Sequence, residues 1–327
     1  MQITVAIPVR NEEQSIRQLL DALTDQTLLP SEIVIADTGS TDRTCDIVST
    51  YEHKNIPVRL IKSGQGFPGR ARNLAAAAAA HEWIAFVDAG TKPELNWLES
   101  LAAAVKAGDA IDVVYGTYEP VTDTLLKQCS VMVYVAPPSA VDGKLIRARS
   151  IASAMMKRQV WQAVSGFPED LRSAEDLLFM NRIERAGFRV TRAPDALVHW
   201  QVQPSLWGLF RRFVKYSRNN VRAGLWRNWQ AAIFRRYGLL ILSALPAIFL
   251  GARWLLVTLA LWFGLLAARA IVAIHRNREC YPAGPLWNLI RLCVLVPVLA
   301  VLDSATIIGT IEWIVRDRMR ISGQAAS

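Results

Sequence analysis

The sequence predicts an α/β domain, a parallel-type sheet with helices on both faces, joined to a C-terminal part that lies at and within a membrane. Three observations carry this. Between residues 3 and 115, short apolar runs ending on a polar residue alternate with stretches of helical periodicity, the pattern of strand–helix units. The charge balance breaks once: residues 1–195 hold 21 Lys and Arg against 24 Asp and Glu, and residues 196–327 hold 16 against 4. The basic part carries apolar runs near span length, and the 327-residue chain is 52 % hydrophobic with mean hydropathy +0.21, too apolar for an ordinary soluble domain.

Residues 3–7 form an apolar run closed by Pro8, consistent with a buried strand. Residues 12–26 place Ile16, Leu19, Leu20 and Leu23 at helical spacing. Residues 33–36 make a second strand ending at Asp37, and Ser40 or Thr41 caps a helix from Asp42 towards Tyr51. Strand 58–61, a loop over 64–69 and an alanine-rich helix over 70–80 follow. Strand 83–87 ends at Asp88, a helix follows Pro93, 113–115 is a fifth strand, and 189–193 is an edge strand turning at Pro194-Asp195. In such sheets ligands bind beyond the carboxyl ends of the strands. Arg10, Asp37 and Asp88 each fall at or just past such an end, so three polar side chains converge on one edge.

Residues 205–236 are amphipathic and basic. Leu206, Leu209, Phe210, Phe213 and Val214 make an apolar stripe, and Arg211, Arg212, Lys215, Arg218 and Arg222 supply charge. With Trp207, Trp226 and Trp229 at headgroup depth, this is the signature of an interfacial helix. Residues 237–250 and 254–274 are apolar, the second close to the ~20 residues a span needs. A third apolar region, 286–315, is interrupted by Arg291, Pro297, Asp303 and Glu312. Basic clusters precede the first run, follow the second at His275-Arg276-Asn277-Arg278, and occupy 316–320. The positive-inside rule places all three on the cytoplasmic side. The third region reads as one long span or a re-entrant hairpin; placing the last cluster inside needs an even number of crossings, which favours the hairpin within two to four crossings overall.

The expected organisation is a cytosolic domain over 1–200, interfacial helices over 201–236, transmembrane or re-entrant helices over 237–315 and a basic tail over 316–327. The start of the chain has no basic n-region or cleavage site, so no signal peptide is expected. The four cysteines form no CxxC pair, which argues against a disulfide framework or zinc site. Basic residues interleaved with apolar runs favour anionic lipid over nucleic acid. The Arg-rich, Ala-rich composition suggests a bacterium, and hence its inner membrane.

Five segments carry a family resemblance. Val5-Ala6-Ile7-Pro8-Val9-Arg10-Asn11-Glu12-Glu13 resembles the opening of family 2 glycosyltransferases. Ile35-Ala36-Asp37-Thr38-Gly39-Ser40-Thr41-Asp42 resembles their second-strand signature, and Gly69-Arg70-Ala71-Arg72-Asn73 their Gly-x-Ala-Arg-Asn helix start. Asp88-Ala89-Gly90 sits where the family carries Asp-x-Asp. Gly166-Phe167-Pro168-Glu169-Asp170 followed by Ala174-Glu175-Asp176 resembles the acceptor-side Gly-Phe-x-Glu and Glu-Asp pair. The segments lie in the family's order over roughly residues 3–200. The resemblance implies a GT-A fold, with a mixed, mostly parallel sheet, a nucleotide-binding half and an acceptor-binding half.

Glycosyl transfer from a nucleotide sugar must hold the base and ribose, neutralise the departing diphosphate and deprotonate the acceptor hydroxyl. The resemblance assigns Asp37 to base or ribose, with Pro8, Arg10, Asp88 and Ala89 on the same donor-binding edge. Arg70 begins a helix beside Gly69, where its fork and the helix N-terminus both suit phosphate. For Arg70 and Arg72 the alternative is a solvated helix face. The family usually holds a magnesium or manganese ion through the last Asp of Asp-x-Asp. Here Gly90 replaces it, leaving Asp88 as the metal-ligating candidate. Asp176, with Glu175, is the candidate base; helix capping is the alternative role for the pair. Asn73, His199 and Trp200 are further candidates, His199 equally a structural histidine. The Gln-x-x-Arg-Trp motif of processive relatives is absent.

The leading expectation is an inverting transfer of sugar from a nucleotide-sugar donor to a membrane-proximal, lipid-linked acceptor, without nucleic acid. A pseudoenzyme or scaffold keeping the fold is the alternative, on the strength of Gly90. A nicotinamide dehydrogenase is set aside because Pro8-Val9-Arg10-Asn11 is no GxGxxG turn.

Overall fold

The computed structural model describes residues 1–51, 56–141 and 143–318, so Met319 and Arg320 of the last basic cluster, with the rest of the predicted tail, lie outside the described residues. The chain forms two compact units, Met1–Val121 with Pro138–Gln201 and Thr122–Pro137 with Val202–Ser327. Segment 122–137, expected within the first domain, thus groups with the C-terminal helices.

The first unit begins with β1 (Ile3–Val9), α1 (Ile16–Thr24), β2 (Glu32–Asp37), α2 (Thr44–Ser49), β3 (Val58–Lys62) and α3 (Pro68–Ala78). Then come β4 (Trp83–Phe86), β5 (Thr91–Pro93), α4 (Trp97–Ala107) and β6 (Val113–Val121). After α5 (Leu125–Tyr134) of the second unit, it resumes with β7 (Ser139–Val141), β8 (Lys144–Ile146), β9 (Ala154–Lys157), α6 (Arg158–Ala163), α7 (Glu175–Arg185) and β10 (Val190–Gln201).

Eight strands form one sheet in the order β3-β2-β1-β4-β9-β6-β10-β5. β1 pairs parallel with β2 and β4, β2 with β3, and β6 with β10, while β9 and β5 run antiparallel to their neighbours. The sheet is mixed and mostly parallel, as the resemblance implies. Side-chain alternation sends Ile3, Val5 and Ile7 to one core with Leu19, Leu23 and Trp97. Ala6 faces the other, with Ala71, Ala75, Phe86 and Phe179. Cover on both faces explains why β2 is buried along its whole length.

The sequence reading ends the last strand at residue 193, but β10 continues to Gln201. Its register against β6 shifts between Arg192 and Leu197, an irregularity that accommodates Pro194 without a ladder hydrogen bond.

The second unit contains α5, α8 (Leu206–Arg222), α9 (Trp226–Ala244), α10 (Ala247–Leu250), α11 (Trp254–Arg276), α12 (Pro285–Glu312) and a π-helical turn, Trp313–Arg318. Three helical stretches among the described residues are long and apolar enough to cross a membrane: Trp229–Leu250, Trp254–Arg276 and Pro285–Asp317. The third corrects the expectation of a hairpin, because α12 is one helix that runs through Pro297. Two of the polar residues that read as interruptions are satisfied by neighbouring groups. Arg291 donates to Gln128, Asn288 and the Tyr281 carbonyl, and Asp303 accepts from both Arg269 and the Tyr237 hydroxyl.

The expected interfacial helix is also modified. Leu209, Phe213 and Val214 of α8 pack on Val298, Leu302 and Ala305 of α12, so much of the apolar stripe faces protein instead of lipid. Trp207 remains 65 % exposed, stacked on Phe210.

Candidate functional site

The site is organised by the first turns of α3. Pro68 at the start presets helical backbone geometry, and the buried stripe Gly69, Ala71, Arg72, Ala75 and Ala76 faces the sheet. Gly69 is required by close approach: a Cβ there would meet the Pro168 carbonyl oxygen at 2.0 Å. Arg72 therefore enters the interior, where its Nη1 lies 2.7 Å from Glu175 Oε1 and its Nη2 2.7 Å from Asp88 Oδ1. One guanidinium thus joins the end of β4 to the start of α7. Burial alone lowers its pKa, but Asp88, Glu175 and Asp176 outweigh that and hold it above the usual arginine value.

Asn73, next in the helix, fixes the loop that carries Phe167 and Glu169. Its amide donates to the Phe167 carbonyl and Glu169, and its oxygen accepts from Trp161 Nε1 and the Phe167 amide. Phe167 stacks on Phe179 with centroids 3.8 Å apart, locking the loop against α7.

Glu175 and Asp176 open α7 after Ala174, a non-glycine residue held at φ 71°. Glu175 is buried and its Oε2 has no partner. Asp176 is half-buried, and its carboxylate accepts from the Leu177 amide at 2.8 Å. Burial raises the Asp176 pKa, the Arg72 charge and the Leu177 amide oppose it, and Asp88 adds to the rise. Glu175 moves the same way, through burial first. A helix-start position alone keeps such a carboxyl acidic; the surrounding protein reverses that.

On the neighbouring edge, Asp37 ends β2 and accepts from the Gly39 and Ser40 amides, an arrangement that needs Gly39 at φ 86°. Asn11 ties the first loop to this one by accepting from the Thr41 amide and donating its own amide to Ser40 Oγ. Arg10 donates to the Gly66 carbonyl, and Arg70 leans over the same glycine, where a Cβ would come within 2.9 Å of its Cδ. Gly66 also abuts Thr38. Pro8 and buried Ala89 lie at the ends of β1 and β4. The structure thus groups Arg10, Asp37 and Arg70 around two touching loops, and Asp88, Glu175 and Asp176 around Arg72, with the start of α3 contributing to both groups.

His199 and Trp200 are engaged elsewhere. His199 Nε2 lies 2.6 Å from Glu94 Oε1, and the Trp200 ring meets Tyr118 edge-on. The protein alone offers the expected cation few donors. Asp88 Oδ1 is taken by Arg72, Gly90 has no side chain, and among the described residues no three His, Cys, Asp or Glu gather to hold a metal ion. Sequence reasoning gave the phosphate role to Arg70 and named no site role for Arg72, with a solvated helix face as the alternative for both. The place of Arg72 on the Ala71, Ala75, Ala76 stripe was the available signal that it is buried.

Comparisons with known proteins bear on the family and the fold. A family model described as glycosyl transferase family 2 matches residues 4–162, and one described as glycosyl transferase family group 2 matches residues 151–302. Over 203 residues the chain is 29 % identical to the poly(ribitol-phosphate) beta-N-acetylglucosaminyltransferase TarS of Staphylococcus aureus, covering 61 % of this chain but only 35 % of TarS. The crystal structure of TarS 1-349 in complex with UDP-GlcNAc aligns over 94 % of this chain and 90 % of that one, at TM-score 0.50 and 18 % identity. The mannosyltransferase PcManGT from Pyrobaculum calidifontis, in complex with GDP-Man and Mn2+, aligns over 97 % and 88 % at TM-score 0.55 and 21 % identity. These structural likenesses concern the fold, which is GT-A.

Proposed function

Because the chain belongs to glycosyltransferase family 2, we propose that it moves a sugar from a nucleotide-sugar donor to a membrane-proximal, lipid-linked acceptor, with inversion at the sugar carbon. The observation that carries this reading is the Arg72 bridge, which sets Asp88 on the donor side against Glu175 and Asp176 on the acceptor side.

Asp37 receives donors of the base or ribose, and Arg10 and Arg70 meet the diphosphate. Asp88, oriented by Arg72, lies beside the ribose and sugar. Asp176 accepts the proton of the acceptor hydroxyl as that oxygen bonds to the anomeric carbon and the nucleoside diphosphate departs from the opposite side. Its raised pKa suits it to hold that proton better than an exposed carboxylate does. Glu175 holds Arg72, Asn73 holds the loop beside it, and His199 and Trp200 support the sheet edge. A divalent cation shared between Asp88 and the diphosphate oxygens would help neutralise the departing group.

Three apolar helices support a multi-pass anchor, and the cluster Arg211 to Arg236 supports placing the catalytic unit on the cytosolic face of a bacterial inner membrane. Anchoring on the same surface as a lipid acceptor raises the effective concentration of one for the other. A second reading, an inactive binding or scaffold protein, rests on Gly90 alone.

The test uses the full chain purified in detergent and screened with UDP-, GDP- and dTDP-sugars in the presence of bacterial lipid extract. Nucleoside diphosphate release with label appearing in lipid is expected. Donor binding without release or transfer would select the scaffold reading.

A further inference from the structure

Among the described residues, no carboxylate pairs with the positive charge of Arg192. Arg192 sits on β10 directly across from Tyr115 on β6, in parallel register. Its guanidinium donates to the main-chain oxygens of Gly116 at 3.2 Å and Arg147 at 2.5 Å, while its Nε is buried without a partner. The charged and titratable groups acting on it are Tyr115, Arg149 and Tyr118. The Tyr115 hydroxyl is likewise buried and unpartnered, with the residue 1 % exposed. Burial pushes that hydroxyl up to about 12, so it keeps its proton and stays a donor at neutral pH. Two orphaned donors in one spot are uncommon in native proteins, and each costs free energy unless something fills it.

The neighbouring arginines differ. Arg147 is neutralised by a two-pronged contact with Glu119. Arg149 is 29 % exposed and reaches Asn181 and the solvent-facing Glu184 on α7. A pair of that kind holds its cation weakly. Both contacts lie on the helix that begins with Glu175 and Asp176. At 1.5 Å per residue they fall about 8–12 Å along that helix from Asp176.

We propose that Arg149, Arg192 and the Tyr115 hydroxyl form an oxyanion subsite that takes a phosphate of the acceptor. The inference rests on the acceptor-side role proposed for Asp176. Two guanidinium forks and a phenol offer more donors than the two oxygens of a carboxylate use, and a phosphate has the oxygens to meet them. The spacing from Asp176 lets one molecule present a hydroxyl to the base and a phosphate to this subsite.

The experiment is calorimetric titration of the full chain in detergent, with the donor site saturated by the nucleoside diphosphate that binds best. The probes are inorganic phosphate, farnesyl phosphate and farnesol. Both phosphates bind, farnesyl phosphate the more tightly, and farnesol does not. Arg149→Gln weakens both about tenfold or more, and Tyr115→Phe weakens them severalfold. Arg149 is partly exposed and Tyr115→Phe removes only an unpartnered oxygen, so both variants fold, as their melting curves check. Folded variants with wild-type phosphate affinity overturn the subsite. Equal affinity for inorganic and farnesyl phosphate assigns the subsite to free phosphate and overturns the acceptor assignment. Phosphate binding that depends on Arg149 in a protein without transfer activity refutes the transferase reading and leaves the subsite standing.

Discussion

Arg72 and Glu175 form a buried ion pair, with Nη1 2.7 Å from Oε1 and both side chains 5 % exposed. Removing one partner of such a pair strands the other charge, at a cost of about 3–5 kcal/mol. Arg72→Met is therefore expected to lower the melting temperature of the first unit and to abolish transfer. Arg72→Lys keeps the charge, but a point charge cannot fork to Asp88 and Glu175 together. It is expected to regain most stability and little turnover. Unfolding curves and donor-release rates for the two variants check this. Equal turnover in Arg72→Lys and the parent would remove the bridge from the mechanism.

Asp176 gives a prediction with a definite sign in pH. Burial raises its pKa above the usual 3.8 despite Arg72. Such a group stabilises the fold below its unfolded pKa, and that contribution is lost as pH rises through the folded value. At neutral pH the ionised carboxylate is thus a liability to stability. Asp176→Asn is expected to melt higher than the parent at pH 7, with the gap closing as pH falls towards 4, while turnover drops about 10²–10⁴-fold. Donor affinity stays near that of the parent. Near-parental turnover would take Asp176 out of the reaction.

The legible and illegible parts of the sequence separate on physical grounds. β1, β2 and β4 stood out because they are buried on both faces and so read as unbroken apolar runs. β9 gave no signal: Ala154-Met155-Met156-Lys157 is four residues long and has no β-branched side chain. Pro194 hid the second half of β10, because a register shift there removes the usual penalty for proline. In α12, Arg291 and Asp303 looked like breaks because their partners, Gln128 and Arg269, lie far away in sequence. The polar strand ends Arg10, Asp37 and Asp88 were visible from pattern alone. What joins Asp88 to Glu175 is a buried arginine, set apart from the exposed Arg70 two positions earlier by its place on the Ala71, Ala75, Ala76 stripe, but the ion pairs it makes are visible only in the tertiary structure.

Gly90 offers a gain-of-function test. A Cβ built there has no atom within 4 Å, and its φ lies outside the left-handed range, so Gly90→Asp fits with little change in stability. A second carboxylate beside Asp88 and a bound diphosphate supplies the oxygen ligands a hard cation prefers. The variant is expected to bind Mn2+ at least ~10-fold more tightly than the parent when nucleoside diphosphate is present, since one further charged ligand contributes on that scale. Titration by electron paramagnetic resonance measures this. Equal affinities would mean that groups other than residue 90 already hold a cation.

The helix pair α8–α12 depends on Gly309. A Cβ there would meet the Val214 carbonyl oxygen at 2.3 Å and Ser217 Cβ at 2.8 Å, contacts too close to be relieved by a rotamer change. The same approach lets Ser217 Oγ donate to the Thr306 carbonyl at 2.7 Å. Gly309→Ala must therefore push the helices apart, at about 1–3 kcal/mol for overpacking. Gly264 in α11 is the control, because a Cβ there meets nothing within 4 Å. Gly264→Ala is expected to be neutral or to raise stability by up to ~1 kcal/mol through helix propensity. Thermal unfolding in detergent should rank Gly264→Ala at or above the parent and Gly309→Ala below it. If both behave alike, the α8–α12 contact is loose enough to admit a methyl group, and the burial of Leu209 and Phe213 must carry that interface without it.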